Sequence, residues 1–326
     1  MPDDLLPEDI CDGGLFAIRN TMARVKWLLK NDPIRALATT YSPKRDKEAL
    51  FVDENAEWLF AANLKDDYKA GLLQELEVWG EESVTNKEDF SGRRGDFALA
   101  DMIDGTDLLE RNLSNWCSAA VFFRPNNPEG QRIVAACVGV PSGKIYFAHS
   151  DREGAFYKLP SEATRRVGGP SEITKLSEAS ICFYGQKASR LKKVCDLPLL
   201  KYLIEQPEPP RNANVKKNRV YTLAGIPMMV KLIDQQVPDA ANIDVVFETV
   251  GQHPHDVVAG AYIARKANAI MINLDTGEEI TDVELERGLL RPGHKESELR
   301  YIISSTRELC MEALPRLRAE VASAAK

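Results

Sequence analysis

The amino-acid sequence predicts a layered α/β fold in which helix and sheet layers alternate. Three observations favour this fold: a long amphipathic helix near the start, a strand pair in mid-chain, and alternating helix and strand patterns in the second half. Such segments pack as layers because each helix or sheet buries an apolar face against a neighbour. The 326 residues suffice for two subdomains, which we expect at residues 1–175 and 176–326.

The N-terminal region carries two helix patterns. Apolar residues recur every three or four positions from Leu15 to Leu29, which predicts an amphipathic helix over residues 14–30. A second helix is expected to begin near Asp53, because acidic residues suit a helix N-terminus. The first of these helices is expected to be part of the scaffold.

Strand patterns follow in the middle of the chain. Residues 97–100 are expected to form a strand that ends at Asp101. Residues 131–149 contain two apolar runs around a Pro-Ser-Gly turn, which predicts a β-hairpin. A further strand is predicted within residues 176–185.

The second half alternates helix and strand patterns after a loop, residues 206–219, that is rich in proline and charge. The predicted elements are a helix at 222–234, a strand at 243–248, a helix at 256–267, a strand at 269–274 and a C-terminal helix from about Ser297.

Composition narrows the class of protein. Hydrophobic residues are 44% and charged residues 28%, close to averages for folded soluble domains. The net charge of −7 supplies no general attraction for a nucleic-acid polymer. No apolar run approaches the roughly 20 residues of a membrane helix, so we expect no membrane partner. The acidic N-terminus lacks the pattern of a secretion signal, so we expect a cytoplasmic protein, with its six scattered cysteines reduced and binding no metal.

Three acidic clusters contain the candidate metal-binding and catalytic residues. They read WGEES at 79–83, DMIDGT at 101–106 and HDVVAG at 255–260. Carboxylates at strand ends can converge. Asp101 and Asp104, with the carbonyl of Ile103 between them, can supply adjacent sites for a hard cation, because magnesium takes oxygen ligands.

Two well-known acidic motifs differ from the central cluster in spacing. An EF-hand loop needs an oxygen ligand at its third position, where this chain has Ile103. The D-x-D-G-T motif of haloacid-dehalogenase phosphatases separates its aspartates by one residue, whereas two residues separate Asp101 from Asp104. A solvated acidic turn that caps a helix remains open from spacing alone.

Together, the clusters resemble the motifs of the inositol monophosphatase family, which are G-E-E-S, D-P-[IL]-D-G-T about twenty residues later, and W-D-x-A-A-G far downstream. Glu81 and Asp101 are 20 positions apart. Asp53 in FVDENAEWL, the segment GKIYFAHSDREGAF and the segment that follows Asp256 are also similar to family motifs. The resemblance covers most of residues 50–275.

The resemblance implies the helix-sheet-helix-sheet-helix sandwich of the sugar phosphatases and a site for two or three magnesium ions. It places Glu81, Asp101 and the Ile103 carbonyl on one ion, and Asp101, Asp104 and Asp256 on a second. Asp53, Thr106 and Glu81 would be catalytic, with Thr106 holding the attacking water. Gly105, Thr106 and Glu248 would contact the phosphate or substrate, and Glu82 would orient its neighbours. The full predicted set is Asp53, Glu81, Glu82, Asp101, Ile103, Asp104, Gly105, Thr106, Glu248 and Asp256.

The implied activity is magnesium-dependent, lithium-sensitive hydrolysis of a phosphate monoester of a small polyol or sugar by a homodimer. Met102 and His255 replace the family's usual proline and tryptophan, and residues 107–112 differ from its usual T-N-F-x-x-G. The small-molecule substrate therefore stays open between an inositol phosphate, a 3'-phosphonucleotide and fructose 1,6-bisphosphate, and a non-catalytic binding protein is the alternative class. Lys44 and Lys47 are candidates for the family's lysine upstream of its first aspartate. The basic loop at 211–219 is either a contact for a second substrate phosphate or a solvated surface loop.

Overall fold

The structure is a computed structural model that describes residues 5–42, 47–67, 69, 73–80, 95–184, 187–206, 219–223, 225–234, 243–290 and 298–318. Within these ranges the chain forms a mixed α/β fold built around a seven-stranded and a five-stranded sheet. The predicted α/β class is confirmed.

The helices differ widely in length. Within the described ranges they are α1 (Pro7–Asn31), α2 (Pro33–Ala36), α3 (Phe51–Ala62), α4 (Thr106–Glu110), α5 (Ala188–Cys195), α6 (Pro198–Glu205), α7 (Ile226–Leu232), α8 (Val258–Lys266), α9 (Asp282–Leu290) and α10 (Arg307–Arg318).

Most strands are short. They are β1 (Thr39–Ser42), β2 (Lys47–Leu50), β3 (Glu77–Gly80), β4 (Phe97–Asp104), β5 (Cys117–Phe123), β6 (Ile133–Gly139), β7 (Ile145–His149), β8 (Phe156–Lys158), β9 (Arg165–Arg166), β10 (Ser180–Phe183), β11 (Arg219–Tyr221), β12 (Val245–Gln252), β13 (Ile270–Asn273) and β14 (Leu299–Ser304).

The two large sheets differ in strand direction. The first runs in chain order from β3 to β9, and its pairs are antiparallel apart from the parallel pair β3 and β4. The second has the order β11-β10-β12-β14-β13, with β10 parallel to both of its neighbours. In it, β14 pairs antiparallel with β12 and β13. Strands β1 and β2 form a separate hairpin.

Helices cover both faces of each large sheet. Helices α1 and α3 share an apolar core with one face of the seven-stranded sheet. Helices α7 and α8 share a second core with its other face and with strands β12 to β14. Helices α6 and α10 pack on the outer face of the five-stranded sheet. The layers therefore alternate helix, sheet, helix, sheet, helix, as expected.

Close approach of α1 to the first sheet depends on a missing side chain. A Cβ atom on Gly139 of β6 would lie 2.4 Å from the Met22 sulfur and 2.6 Å from a methyl carbon of Ile18. Ile18 and Met22 lie one turn apart on the buried face of α1. Glycine at 139 therefore lets the helix sit directly on the sheet.

Several predicted boundaries are wrong. Helix α1 begins at Pro7 rather than at residue 14, and the predicted helix at 222–234 contains only the short α7, with β11 ending just before it. The C-terminal helix expected from Ser297 is preceded by strand β14, whose last four residues are buried. Residues 176–178 form a 3-10 turn before β10, so the strand predicted there is shorter.

The predicted subdomain boundary near residue 175 stays a prediction; strands β3 to β9 precede it and β10 to β14 follow it. Among the described residues no helix is both long and apolar enough to span a membrane.

Candidate active site

Strand β4 carries two of the predicted metal ligands. Residues three apart on a regular strand point to opposite faces of the sheet. Here the pairing with β5 shifts: Asp101 pairs with Ala119 and Asp104 with Cys117, so β4 has one extra residue between them. Such a bulge re-aims side chains. Asp101 and Asp104 consequently line the same cavity. The strand extends past its predicted end at Asp101, and this extension contains the bulge.

Both aspartates also accept backbone hydrogen bonds. The Ile103 N–H donates to Asp101 Oδ1 at 3.1 Å, and the Ile226 N–H donates to Asp104 Oδ2 at 2.8 Å. Asp101 is buried and Asp104 half-buried. Buried carboxylates are costly unless such donors or cations offset their charge. The backbone thus holds both carboxylates in fixed orientations.

Gly105 turns the chain from β4 into helix α4. Its φ of 97° lies in the left-handed region, and a Cβ atom there would lie 2.9 Å from the Asn115 carbonyl oxygen. Only glycine adopts this conformation without steric cost. The turn places Thr106 at the first residue of α4, where a helix leaves the backbone N–H without a partner within the helix.

Thr106 lies between the Ile103 carbonyl and Asp53. Its hydroxyl donates to the Ile103 oxygen at 3.0 Å and lies 3.5 Å from each carboxylate oxygen of Asp53. Asp53 is buried in the first turn of α3. The structure therefore brings together the predicted pair of Asp53 and Thr106.

Asp256 reaches the cavity from the other side of the fold. It ends a 3-10 turn, Pro254–Asp256, that precedes α8. Its Oδ1 lies 3.1 Å from His255 Nε2, and the His255 ring stacks on His253 with 5.4 Å between ring centroids. The stacked rings support the turn that carries Asp256.

Glu81 and Glu82 lie outside the described residues, as do Lys44 and residues 211–218. Gly80, which precedes Glu81, packs tightly against α3: a Cβ atom there would lie 2.0 Å from the Glu57 carboxyl carbon. A side chain at this position would require the flexible carboxyl end of Glu57 to move. Glycine therefore leaves room for the Glu57 carboxyl beside β3.

These elements surround a cavity of about 450 Å³. Among the residues predicted for the site, Asp101, Ile103, Asp104, Gly105, Thr106 and Asp256 line it. Several other lining residues were not predicted from the sequence to belong to the site: Asp107, Leu108, Asn115, Tyr184, Lys187, Arg190, Gly251, Gln252, His253 and Glu298. Asp107 and Leu108 directly follow Thr106 in α4, and Gly251 and Gln252 end strand β12. The others come from segments far apart in the sequence, which form no local motif.

Glu248 lies behind the described lining of this cavity. It is 2% exposed, and its Oε1 accepts the N–H groups of Val250 and Gly251 at 2.6 and 3.2 Å. Its Oε2 lies 3.6 Å from the Arg190 guanidinium. Burial raises the pKa of this carboxyl, against the lowering effect of the backbone donors and Arg190. The predicted contact of Glu248 with a substrate hydroxyl stays a prediction.

The donors that line the cavity suit a hard cation. They are the carboxylates of Asp101, Asp104 and Asp256 and the Ile103 carbonyl, all of them oxygens. Among the residues that the structure describes, no three His, Cys, Asp or Glu side chains come close enough to hold a metal by themselves. The complete ligand set, which includes Glu81, stays a prediction.

Comparison with known proteins identifies the fold that carries this cavity. No family model matches the sequence, and no curated protein matches it. An IMPase, or inositol monophosphatase, from Thermotoga maritima is 14% identical with a TM-score of 0.64 over 97% of this chain and 98% of its own.

Two further structures with bound ligands are similar. A staphylococcal IMPase-II with inositol monophosphate bound is 16% identical, with a TM-score of 0.62 over 96% of both chains. An IMPase/NADP phosphatase in complex with NADP and Ca²⁺ is 18% identical, with a TM-score of 0.62 over 96% of both chains. The chain therefore has the inositol monophosphatase fold, as the sequence motifs indicate.

Proposed function

We propose that the chain is a magnesium-dependent phosphatase that hydrolyses a phosphate monoester of a small polyol or sugar, with an inositol phosphate as the leading candidate. The observation that carries this proposal is one cavity lined by Asp101, Asp104, Asp256, the Ile103 carbonyl and Thr106. The bound inositol monophosphate and NADP of two similar structures support the substrate class.

In this proposal Glu81, Asp101 and the Ile103 carbonyl would hold one magnesium ion, and Asp101, Asp104 and Asp256 a second. Bound there, two or three such ions would lower the pKa of a water and offset charge on the leaving oxygen. Four carboxylates in one cleft repel one another, so cations also stabilise their arrangement.

The protein itself would position the attacking water and the phosphate. The Thr106 hydroxyl would orient the water, and Asp53, 3.5 Å away, would orient that hydroxyl. The backbone N–H groups of Gly105 and Thr106 would donate to phosphate oxygens, as preorganised donors do at developing charge. Direct attack by water needs no covalent phospho-enzyme.

The test is phosphate release from a panel of esters, with magnesium and with a chelator. The panel contains inositol 1-phosphate, adenosine 3',5'-bisphosphate, fructose 1,6-bisphosphate and glycerol 1-phosphate. We expect magnesium-dependent turnover of at least one ester, and its loss in Asp101→Asn. Asp151→Asn, at an exposed turn outside the described cavity lining, is the matched control. No turnover of any ester would instead favour a non-catalytic binding protein.

Three further properties are part of the proposal. Lithium should inhibit by replacing one magnesium ion, and the protein should be a homodimer located in the cytoplasm. Phosphate release in a lithium titration at fixed magnesium tests the first property. Light scattering after size-exclusion chromatography tests the second, and a monomer would contradict it. Cell fractionation tests the third.

A further inference from the structure

Two cationic side chains face the cavity from the start of helix α5. Lys187 directly precedes the helix and Arg190 lies in its first turn. The other charged side chains of the described lining are acidic: Asp101, Asp104, Asp107, Asp256 and Glu298. Lys187 and Arg190 therefore differ in charge from the rest of this acidic cavity, and neither is a predicted metal ligand.

Arg190 is held in place but keeps its hydrogen-bond donors. Its guanidinium lies 4.6 Å from the ring centroid of Tyr184 and 3.6 Å from Glu248 Oε2. The second distance is too long for a hydrogen bond. Within the described residues Glu248 Oε2 has no hydrogen-bond partner, although the carboxyl is buried. A guanidinium has five N–H donors, so this oriented side chain can still bind an anion.

Lys187 adds a second positive charge at the cavity, beside Arg190. Its side chain is exposed at the cavity and forms no ion pair within the residues that the structure describes. Glu248 offsets part of the charge of Arg190, whereas the ammonium group of Lys187 adds a positive charge that no described ion pair offsets. Arginine suits oxyanions through its planar donors, and lysine adds a point charge.

We propose that the substrate carries a second anionic group, a phosphate or a carboxylate, which Lys187 and Arg190 bind while the ester phosphate occupies the Asp101 end. Glu248 is then a positioning residue for Arg190. This inference rests on the proposed function and specifies its substrate class. The volume of about 450 Å³ lies in the range of small-molecule sites.

The experiment compares esters that differ in the second anion. The pairs are fructose 1-phosphate with fructose 1,6-bisphosphate, and glycerol 1-phosphate with 3-phosphoglycerate, which distinguish phosphate from carboxylate. We expect the wild type to favour the doubly anionic member of at least one pair by about tenfold in kcat/KM, the scale of one charged hydrogen bond. Lys187→Met should abolish most of that preference. Lys192→Met, at an exposed position of α5 outside the described lining, should keep it.

A second variant tests the role of Glu248. Glu248→Gln removes the ion pair and keeps the shape, so it should raise KM for the doubly anionic ester more than for its partner. Equal effects on both members of a pair would mean that Glu248 does not position Arg190 for the second anion. Arg190→Met is less informative because it would leave the buried Glu248 carboxylate without its cation.

Failure of this inference can be told apart from failure of the proposed function. If no ester is hydrolysed, calorimetric dissociation constants for the same four compounds, with wild type and Lys187→Met, still measure the preference. If esters are hydrolysed but Lys187→Met lowers both members of each pair equally, Lys187 merely offsets acids such as Asp107. The second-anion site is then overturned while the phosphatase proposal stands. Equal turnover of both members by the wild type overturns it too.

Discussion

Asp104 Oδ2 accepts the backbone N–H of Ile226 at 2.8 Å, which joins strand β4 to the first turn of helix α7. That N–H is one that the helix leaves without a partner of its own. Gly225 makes the approach possible: its φ is 88°, and a Cβ atom there would lie 2.8 Å from the same carboxylate oxygen. Asp104 thus connects the seven-stranded sheet to the middle helix layer, besides lining the cavity.

The substitution Asp104→Asn separates these two roles. The amide keeps an oxygen that can accept from Ile226, but it loses the charge that would offset a metal ion. We expect kcat to fall by about a hundredfold or more, the scale of one electrostatic group in an active site. The melting temperature in chelator should not fall, since one of several repelling carboxylates is neutralised. Turnover at saturating magnesium and thermal unfolding measure the two effects.

The substitution Asp104→Ala tests the loss of the charge and of the hydrogen-bond acceptor together. It removes the charge and the acceptor together, so it should also destabilise the metal-free protein, by about 1 kcal/mol for a lost helix-cap hydrogen bond. A fully active Asp104→Asn would contradict the metal-ligand prediction. A solvated turn aspartate predicts retained activity with a small loss of stability.

The sequence predicted the part of the site that is encoded by short motifs. Asp101, Ile103, Asp104, Gly105 and Thr106 are neighbours in the chain, so their proximity is already local, and all five line the cavity. The β4 bulge that turns Asp101 and Asp104 toward the same cavity arises from pairing with β5. The residue pattern of β4 alone does not predict how β4 pairs with β5.

Other features depend on contacts between distant segments. Lys187 and Arg190 follow β10, which belongs to the five-stranded sheet, whereas Asp101 and Asp104 belong to the seven-stranded sheet. By sequence pattern alone, a basic pair at a helix start is usually a solvated surface. At the C-terminus, the short apolar run in 299–304 suits a strand or a buried helix equally well by pattern. The segment forms a strand because it pairs with β12 and β13. Helix α10 begins only after Thr306, whose hydroxyl accepts the Leu309 N–H at 3.4 Å.

The hydroxyl of Thr106 should matter for catalysis more than for folding. Thr106→Val removes the group that would orient the attacking water and keeps the shape, so we expect kcat to fall about ten- to a hundredfold. The lost bond to the Ile103 carbonyl should cost about 1 kcal/mol of unfolding free energy. Thr106→Ser keeps the hydroxyl and should retain most of the activity. Steady-state kinetics and urea unfolding of both variants check this. Equal activity of the two variants would exclude a role for the hydroxyl.

Gly105 should tolerate no side chain. Gly105→Ala would force a left-handed conformation, at about 1–2 kcal/mol, and would place a Cβ atom 2.9 Å from the Asn115 carbonyl. We expect a loss of unfolding free energy of at least that size and a loss of turnover, because Thr106 follows directly. Gly95→Ala is the control, since nothing lies within 4 Å of its Cβ position and its φ is not positive. Urea unfolding should show little change for Gly95→Ala, and equal effects of the two substitutions would refute the strain argument.

Glu286 should make stability depend on pH. Its side chain on α9 is fully buried, and it accepts the N–H groups of Gly130 and Arg132 at 2.6 Å and of Ile133 at 3.1 Å. Burial raises the pKa of this carboxyl above its ordinary 4.5, although the backbone donors oppose the shift. An acid with a raised pKa binds more protons in the folded state than in the unfolded state. Its contribution to stability is therefore lost as pH rises from 4.5 through the folded-state pKa.

The substitution Glu286→Gln tests both the contribution of this side chain to stability and the pH dependence of that contribution. The amide nitrogen would face a backbone N–H that the second carboxylate oxygen now accepts, so the variant should lose about 1–3 kcal/mol of unfolding free energy near neutral pH. Because glutamine does not titrate, the difference between wild type and variant should shrink as pH rises through that window. Urea unfolding from pH 4 to pH 8, with exposed Glu172→Gln as the control, measures the difference. A difference that grows with pH would mean that the backbone donors outweigh burial and hold the folded-state pKa below 4.5.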